Sequence, residues 1–321
     1  MIAVTGANGL LGRIVIDTLR NQGLNVTGIV RQVPVLPGFR YGDLHDPDSL
    51  TDALRGFDIV VHAAGLISFY AARNKELFRT NIEGTSHLVN AALRAGVSKI
   101  IFISSVAALP YSAASVTLSE SNTGSESVTP FSSYYGYTKF RAELEVYRGG
   151  EEGLAVAIIN PSVVLATTPA RQSSARIFEY VFRGNFFYPD ATLHFVDARD
   201  VALAVYQMTQ NFPTGERFII HGGSIAYIDF FRMVAEELNK RPPTLRVPYP
   251  LLWMAAAGGE TCASLLSREP AITRVMVSSL QRKVRYDATK SVEKLGITYR
   301  QIQDTVRWCC AFYRENIKRN D

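Results

Sequence analysis

The sequence predicts an α/β protein: a doubly wound parallel sheet followed by a smaller, mostly helical C-terminal lobe. Short apolar runs alternate with helical segments up to residue 160, and this alternation weakens after Pro161. Strands that are apolar on both faces and separated by helices are typical of a parallel sheet covered on both sides. Because crossover connections are right-handed, such a sheet is doubly wound.

The predicted elements follow one another in a regular order. The strands are "MIAVT", "NVTGIV", "FRYGD", "FDIVVHAAG", "SKIIFISS" and "LAVAIINP". The helices between them are "LLGRIVIDTLRNQG", "DPDSLTDALRG", the long "RNKELFRTNIEGTSHLVNAALRAG" and "YYGYTKFRAELEVYRG". Apolar residues recur at helical spacing in the first of these segments, and the first three end on Gly23, Gly56 and Gly96.

The composition excludes several classes of protein. With 321 residues, 47% of them hydrophobic, the chain can bury a large core, and its net charge of +5 is too modest for a nucleic-acid-binding protein. No apolar run reaches the roughly 18 residues of a transmembrane helix, and the start "MIAVTGANG" does not resemble a signal peptide. The three cysteines, Cys262, Cys309 and Cys310, predict reduced thiols in the cytoplasm. No CxxC or HExxH spacing occurs, so we expect no metal site.

The first predicted strand leads into a glycine-rich turn, "TGANGLLG". Gly6, Gly9 and Gly12 have the spacing G-x-x-G-x-x-G between a strand and a helix. Gly6 permits the tight turn, Gly9 lets the backbone approach a pyrophosphate, and Gly12 lets the helix and strand pack closely. Because the free N–H groups of the helix N-terminus face the phosphates, this context predicts dinucleotide binding.

The end of the second strand indicates which dinucleotide binds. An acidic residue there would bind the adenosine ribose 2′-hydroxyl, but "GIVRQVP" has Arg31 and no acid nearby. A guanidinium suits a 2′-phosphate by its charge and its fork of donors, so NADP is predicted over NAD, with Arg13 of the glycine turn as a possible aid. Asp43 follows the third strand; it either accepts from the adenine amino group or simply begins a turn or helix.

The segment "SSYYGYTK" holds three tyrosines ahead of a lysine. Tyr135 and Lys139 are four residues apart and share a helix face, whereas Tyr134 and Tyr137 do not face the lysine. An ammonium beside a phenol favours the phenolate, which lowers the tyrosine pKa from about 10 towards neutral pH. Tyr135 is therefore predicted to be a general acid–base, and Lys139 can also hold the nicotinamide ribose hydroxyls.

The strand "IIFISS" supplies a hydrogen-bond donor for a substrate oxygen. Ser105 is its last residue and lies at the carboxyl edge of the sheet, where ligands bind; Ser104 is the neighbouring alternative. Any amphipathic helix can contain Y-x-x-x-K. A glycine turn, a strand-end serine and Y-x-x-x-K in this order are much harder to explain as chance.

With these motifs the chain resembles an extended short-chain dehydrogenase/reductase of the NAD-dependent epimerase/dehydratase superfamily. The matching segments include "TGANGLLG", "GDLHD", "DIVVHAAG", "NIEGT", "FISS", "YGYTK" and "FVDARDVALA". The resemblance implies a Rossmann fold with Ser105, Tyr135 and Lys139 as the catalytic triad, and Asn81 matches an asparagine that is usually structural. With Arg31 added, the predicted cofactor-binding residues are Gly6, Asn8, Gly9, Leu10, Leu11, Gly12, Arg31, Asp43, Leu44, Ala63, Ala64, Gly65, Lys139, Pro161 and Val163.

The chain is predicted to divide into two parts. A dinucleotide-binding domain spans 1–160, with 190–222 returning to it, and a substrate-binding lobe comprises 161–189 and 223–321. Aromatic residues of this lobe either line an apolar substrate site or pack the lobe onto the sheet; they are Phe178, Phe182, Phe186, Phe187 and Tyr188. Family members often form homodimers through the two long helices that here contain Asn81 and Tyr135.

The leading hypothesis is an NADP(H)-dependent reductase or dehydrogenase acting on a ketone or secondary alcohol. The segments "HAAGLISFYAARNKELFRTNIEGT" and "INPSVV" resemble the dihydroflavonol reductase and 3β-hydroxysteroid dehydrogenase branch. The segment "LATTP" departs from that branch, where a G-P pair usually follows "PSVV". The alternatives are a nucleotide-sugar epimerase or dehydratase with the same triad, and a non-catalytic dinucleotide sensor. We expect a bulky, partly apolar small-molecule substrate, and neither nucleic-acid binding nor membrane insertion.

Overall fold

The structure, a computed structural model, describes residues 1–32, 37–110, 115–122, 131–167, 175–266 and 268–317; part of the "LATTP" segment lies outside them. The strands are β1 Ile2–Thr5, β2 Val26–Val30, β3 Phe39–Tyr41, β4 Ile59–His62, β5 Lys99–Ile103, β6 Ser115–Leu118, β7 Ala155–Pro161, β8 Val163–Leu165, β9 Phe187–Pro189, β10 Thr192–Asp197, β11 Arg217–Ile220, β12 Gly223–Ala226, β13 Leu245–Val247 and β14 Lys283–Tyr286. The α-helices are α1 Leu10–Asn21, α2 Pro47–Leu54, α3 Asn74–Leu77, α4 Gly84–Ala95, α5 Tyr134–Glu151, α6 Ala175–Phe182, α7 Ala198–Gln210, α8 Tyr227–Leu238, α9 Tyr249–Leu265, α10 Arg274–Leu280, α11 Thr289–Leu295 and α12 Ile302–Ile317. Short 3-10 turns cover Ala71–Arg73 and Val106–Ala108, and a π-helical segment covers Phe78–Glu83.

Seven strands form one parallel sheet in the order β11-β7-β5-β4-β1-β2-β3. The chain runs outward from β1 through β2 to β3, then returns to β4 and continues in the opposite direction through β5 and β7 to β11. The strand order therefore reverses between β1 and β4, which is where ligands bind in sheets of this kind. The predicted doubly wound parallel sheet is confirmed.

Helices cover both faces of the sheet, and the strands point apolar side chains at each of them. Val61 of β4 and Ile101 of β5 belong to the apolar core on the face where α1 packs beside α7. Their neighbours Val60 and Ile100 belong to the core under α2, α4 and α5. Successive side chains of a strand point to opposite faces, so a strand buried on both faces is apolar throughout.

The second half of the chain adds three small sheets, β8-β10-β12, β9-β13 and β6-β14. The prediction that "HFVDARD" returns to the main sheet is wrong for β10, which pairs with β8 and β12, whereas β11 does join the main sheet. Both edges of β7 are already occupied by β5 and β11, so β10 pairs instead with β8, which follows β7 along the chain. The division of the chain into two domains stays a prediction.

Helices α6, α8 and α12 enclose an apolar core of their own. Phe178 of α6 is fully buried, and its ring meets those of Phe230 and Tyr313. Among the described residues, no helix has the length and apolarity needed to cross a bilayer.

A buried ion pair fastens the last strand of the main sheet to α5. The Arg217 Nη2 of β11 donates to Glu143 Oε2 at 2.6 Å, and the Glu143 side chain is fully buried. The second carboxylate oxygen accepts from Asn160 Nδ2 of β7 at 2.7 Å. A buried charge is tolerated only when it is paired and hydrogen-bonded, and both oxygens of Glu143 meet this condition.

We expect Arg217→Met to destabilise the protein by about 3–5 kcal/mol, because it leaves the buried carboxylate of Glu143 without its counter-charge. The measurement is the free energy of unfolding from urea titration. Arg232→Met is the matched control, since it removes an exposed pair with Asp229 and should cost less than about 1 kcal/mol. Equal losses in the two variants would contradict the interpretation.

Candidate active site

The N-terminus of α5 lies against the loop that follows β5. Ser133 precedes the helix and its hydroxyl accepts from the N–H of Gly136 at 3.0 Å, which fixes the start of the helix. On the other side, the Ser105 hydroxyl accepts from the N–H of Ala107 at 3.2 Å and caps the short 3-10 turn. The two caps bring Ser105 and the first turn of α5 together.

Tyr135 is buried, and its phenol lies near enough to the Ser105 hydroxyl for that group to affect its pKa. Burial raises the pKa of its phenol to about 12, and the Ser105 hydroxyl opposes that rise. This differs from the expectation that the lysine lowers the pKa of this tyrosine. The reason is that removal from water disfavours the phenolate more strongly than the neighbouring groups favour it.

Lys139 is buried beside the same strand end. Its Nζ donates to the Ile103 carbonyl at 2.8 Å and lies 4.5 Å from the centre of the Phe102 ring. Burial lowers the lysine pKa to about 8, while the charge of Glu143 acts in the opposite direction. The ammonium is therefore the main form at neutral pH.

The other candidates of the motif are placed differently. Tyr134 is 36% exposed, and the Tyr137 hydroxyl accepts from Arg141 at 3.0 Å. The hydroxyl of Ser104 is buried and has no hydrogen-bond partner within the described part of the chain. Of the three tyrosines, Tyr135 is the buried one, and its pKa is the one on which Ser105 acts.

Gly136 was not predicted as a site residue, yet it sets the distance between α5 and the Ser105 loop. A Cβ at this position would lie 2.4 Å from the carbonyl oxygen of Ala107, closer than real Cβ contacts allow. The signal in the sequence is a glycine in the first turn of a helix, where it costs helix stability and so indicates a close approach.

Asn81 joins the loop after β4 to α5. Its Oδ1 accepts from the Leu66 N–H at 2.8 Å, and its Nδ2 donates to the Leu66 carbonyl at 3.0 Å and to Thr138 Oγ1 at 3.0 Å. The residue lies in the π-helical segment that interrupts the helix predicted as continuous. A Cβ on Gly65 would lie 3.3 Å from Asn81 Oδ1 and 3.7 Å from Lys139 Nζ, so no side chain is accommodated there without a shift.

A chain of buried hydrogen bonds, which the sequence did not reveal, connects β1 to Asn81. Thr5 Oγ1 lies 2.8 Å from His62 Nδ1, and His62 Nε2 lies 3.0 Å from Thr85 Oγ1. Thr85 donates to the Asn81 carbonyl at 2.6 Å, so its oxygen accepts from Nε2–H and Nδ1 accepts from Thr5. Burial lowers the pKa of His62 to about 3, which keeps the imidazole neutral, as this arrangement requires.

The glycine turn is closely packed against the loop after β4. Gly6 has φ +67°, and a Cβ there would lie 2.8 Å from Ala64 Cα. A Cβ on Gly12 would lie 2.2 Å from the Gly6 carbonyl oxygen, while Gly9 N–H donates to that oxygen at 2.8 Å. These residues form a side-chain-free cradle at the N-terminus of α1, which Leu10 and Leu11 begin, and this cradle fits a dinucleotide phosphate.

Three segments meet beside this cradle, where the sequence predicts that the adenosine binds: the glycine turn, the end of β2 and the region of Arg73 and Glu76. Asn8 Nδ2 donates to Gln32 Oε1 at 2.9 Å and so joins the glycine turn to the residue that follows the exposed Arg31. Gln32 was not among the predicted site residues. The pKa of Glu76 is lowered, first by its hydrogen bond with Arg73 and to a smaller extent by the charge of Arg31. Arg73 donates one hydrogen bond to each oxygen of Glu76, at 2.8 and 2.9 Å, so this carboxylate is already paired.

The remaining predicted residues lie around the same edge of the sheet. Asp43 Oδ1 accepts from the His45 N–H at 3.0 Å, so this carboxylate oxygen serves a turn, and the Leu44 carbonyl accepts from a histidine side chain, that of His87. Pro161 is buried at the end of β7 and Val163 is 41% exposed. Ala63 and Ala64 lie on the loop after β4, whereas Arg13 lies in the first turn of α1 and is exposed.

The aromatic residues of the C-terminal lobe do not form one lining. Phe178 is buried in the core, and Lys240 Nζ lies 4.7 Å from the centre of the Phe182 ring. Phe186 and Phe187 are 63% and 54% exposed. The aromatic ring beside Tyr135 is instead Phe69, which meets it edge-on at 5.8 Å. Within the described residues, no group of three or more histidine, cysteine or acidic side chains could hold a metal ion.

The chain is similar in sequence to a known protein family and to several named proteins. Residues 2–220 match the NAD dependent epimerase/dehydratase family. A Synechocystis protein provisionally named dihydroflavonol 4-reductase is 27% identical, with 95% of this chain and 93% of that protein covered. Sterol demethylase protein B of Methylococcus capsulatus is 29% identical, with 95% and 97% covered.

Two further similarities extend over nearly the whole chain. The 3-beta-hydroxysteroid dehydrogenase of Mycolicibacterium neoaurum is 24% identical, with 92% of this chain and 86% of that protein covered. The crystal structure of gox2253 superposes with a TM-score of 0.82 at 30% identity, and 98% of each chain is covered.

We expect Gly136→Ala to lower the free energy of unfolding by about 1–3 kcal/mol, because the new methyl group overlaps the Ala107 carbonyl and pushes α5 off the Ser105 loop. Gly259→Ala is the matched control: it is also a helical glycine, but nothing lies within 4 Å of its Cβ position. The control should gain up to about 1 kcal/mol in urea titration. A stabilised Gly136→Ala variant would show that the close approach is not required.

Proposed function

Because the chain belongs to the NAD-dependent epimerase/dehydratase family and is an NAD(P)-dependent enzyme, we propose that it is an NADP(H)-dependent reductase or dehydrogenase. Its substrate would be a ketone or a secondary alcohol. The observation that carries the proposal is the grouping of the buried Tyr135, Ser105 and Lys139, whose Nζ donates to the Ile103 carbonyl at 2.8 Å, at the carboxyl edge of the sheet. This edge is where ligands bind in sheets of this kind.

The cradle at the glycine turn would hold the diphosphate of the cofactor, and Lys139 would hold the nicotinamide ribose. When bound, the nicotinamide supplies or accepts the hydride. Gly65 supports this placement because, without a Cβ, the backbone after β4 comes close to Lys139, whose Nζ would lie 3.7 Å from a Cβ there.

Tyr135 is assigned the proton transfer. Its pKa of about 12 keeps the phenol protonated at neutral pH, so it can donate a proton to the substrate oxygen during reduction, and oxidation would need the tyrosinate as the base that accepts the alcohol proton. The Ser105 hydroxyl would donate to the same oxygen as negative charge develops there. The ammonium of Lys139, which is the main form at neutral pH, would stabilise the tyrosinate left after the transfer.

The substrate would be bulky and partly apolar. Phe69 forms an apolar wall against Tyr135, and Ile67 in the same loop is 52% exposed. The names of the relatives refer to a dihydroflavonol, a sterol and a hydroxysteroid, which are compounds of this kind.

A nucleotide-sugar epimerase is the second candidate, because the family includes such enzymes and the same three residues would serve it. An epimerase returns the hydride to the substrate and shows no net oxidation of the cofactor. The apolar wall at Phe69 favours the reductase, since a sugar ring needs polar partners for its hydroxyls.

Tyr135→Phe is expected to lower kcat by about 10²–10⁴-fold while leaving cofactor affinity nearly unchanged, because only the proton donor is lost. The measurement is NADPH oxidation with a panel of alicyclic and aromatic ketones, with cofactor affinity followed by calorimetry. Tyr137→Phe is the control and should retain activity, since its hydroxyl bonds Arg141 instead.

Two outcomes would count against this assignment. Loss of activity in Tyr137→Phe with an active Tyr135→Phe would reassign the acid. Turnover of UDP- or GDP-sugars, with no ketone reduced by the wild type, would favour the epimerase.

The preference for NADP is proposed from the ribose edge of the site. Arg31 is exposed there next to Gln32, and Glu76, the carboxylate whose pKa its charge helps to lower, is hydrogen-bonded to Arg73. A 2′-phosphate would therefore meet a guanidinium and no free acid. Guanidinium–phosphate hydrogen bonds are charge-assisted and geometrically well matched.

We expect the wild type to bind NADPH more tightly than NADH, and Arg31→Asp to lose this preference. Loss of a charge-assisted hydrogen bond costs about 1.5–3 kcal/mol, or roughly 10- to 150-fold in affinity, and the new carboxylate adds repulsion. The measurement is calorimetric titration of both cofactors. Arg55→Asp is the control, because it changes the net charge equally at the far end of α2. A wild type that binds NADH equally well would show that Arg31 is only a loop residue.

A further inference from the structure

Helix α9 is apolar around its whole circumference, yet most of it faces outward. Only Ala256 and Ala263 of its residues are buried. Leu265 is 82% exposed and Met254 64%, and Leu251, Trp253 and the adjoining Leu266 are exposed as well. A helix that is apolar all round is normally buried in a core or in a membrane. The exposed apolar side chains of α9 therefore indicate a surface that another molecule covers.

Helix α10 extends the same surface and its charges are paired internally. Val275 and Met276 are each 36% exposed. The one charged residue of α9, Glu260, accepts from Arg274 Nε at 2.6 Å, and the guanidinium lies 5.8 Å from the centre of the Trp253 ring. We call α9 and α10 together the apolar hairpin.

Positive charge is concentrated in the segment of the chain that contains the apolar hairpin. Residues 240–285 contain eight lysines and arginines against two glutamates, a net charge of +6, whereas the whole chain carries +5. The rest of the chain therefore carries −1. Seven of the eight basic residues are exposed, and Arg282 is half-buried.

The charge decides between the possible partners of this surface. A second copy would bring two segments of +6 together, and their repulsion opposes a dimer through the hairpin. Nucleic acid attracts basic residues but does not take up exposed leucine and methionine side chains. An anionic lipid surface accommodates both features, because apolar side chains enter the acyl region while lysine and arginine stay with the headgroups.

We propose that the apolar hairpin docks this protein on the surface of an anionic lipid bilayer. Leu251, Trp253, Met254, Leu265 and Leu266 enter the boundary between headgroups and acyl chains, and the basic residues of 240–285 contact the headgroups. Apolar contact and basic charge together supply the two contributions that stable peripheral attachment needs.

The docked surface is connected to the candidate active site. Glu269 follows the end of α9 and accepts from Ser68 Oγ at 2.9 Å, while Arg73 lies 3.4 Å from its other oxygen. Ser68 is next to Phe69, the ring that meets Tyr135. If the proposed function holds, an apolar ketone dissolved in the bilayer would enter near this loop. The docking itself does not rest on that function.

The test uses the full chain and vesicles of phosphatidylcholine, with and without phosphatidylglycerol. Co-sedimentation should occur with the phosphatidylglycerol vesicles and weaken as salt is raised. Trp253 and Trp308 are the two tryptophans, so Trp308→Phe leaves Trp253 as the fluorescent reporter. Its emission should shift to shorter wavelength on binding and be quenched by brominated acyl chains, which would locate it in the bilayer.

The double variant Leu251→Ser with Met254→Ser should bind about tenfold more weakly or worse, because it removes two apolar contacts with the acyl region. Val292→Ser is the matched control: it also replaces an exposed apolar side chain, 46% exposed on α11, and should bind as the wild type does. Both variants replace exposed side chains, so unchanged circular dichroism will show that they fold.

Three results would overturn the proposal. Equal binding to both kinds of vesicle at every salt concentration would exclude the anionic headgroups as the partner. Absence of binding to either kind would exclude the lipid surface altogether. A dimer in analytical ultracentrifugation that is dispersed by Leu265→Ser with Leu266→Ser would show that a second copy covers the hairpin. Because vesicle binding is measured without turnover, none of these results depends on the reaction being correctly assigned.

Discussion

The candidate site depends on the close contact between α5 and the end of β5. Gly136 admits the Ala107 carbonyl where a Cβ would lie 2.4 Å from its oxygen, and one turn further on Lys139 Nζ bonds the Ile103 carbonyl at 2.8 Å. These two contacts fix both the distance and the rotation of the helix relative to the strand. The pairing of Tyr135 with Ser105 follows from them, because both side chains leave the backbone at this contact.

Buried polar side chains from two other segments of the chain hold this contact. Asn160 Nδ2 donates to the Ser105 carbonyl at 2.9 Å and to Glu143, so the strand β7 fixes the serine loop and the helix together. Asn81 does the same for the loop after β4 by bonding Leu66 and Thr138. In a low-dielectric interior, polar groups that find partners rigidify their surroundings, whereas unpaired ones would be costly. The site is therefore positioned by the same interactions that stabilise the sheet.

Helix α9 differs from the cores of the protein in where its apolar residues lie. In the main sheet and in the core of α6, α8 and α12, apolar side chains are buried against one another. In α9 they are exposed, and they lie in the segment that carries the excess of positive charge. The segment after α9 is connected to the candidate active site through the hydrogen bond of Ser68 to Glu269, next to Phe69.

The sequence by itself determined the doubly wound parallel sheet with its alternating helices and the glycine turn, because periodicity and glycine spacing are local properties. It also selected Tyr135 and Lys139, since residues four apart share a helix face whatever surrounds them. Tertiary structure alone decided the pairing of β10, the His62 and Asn160 hydrogen bonds, the need for Gly136 and the raised pKa of Tyr135. Each of these depends on segments distant in the chain, and burial and close approach arise only when those segments meet.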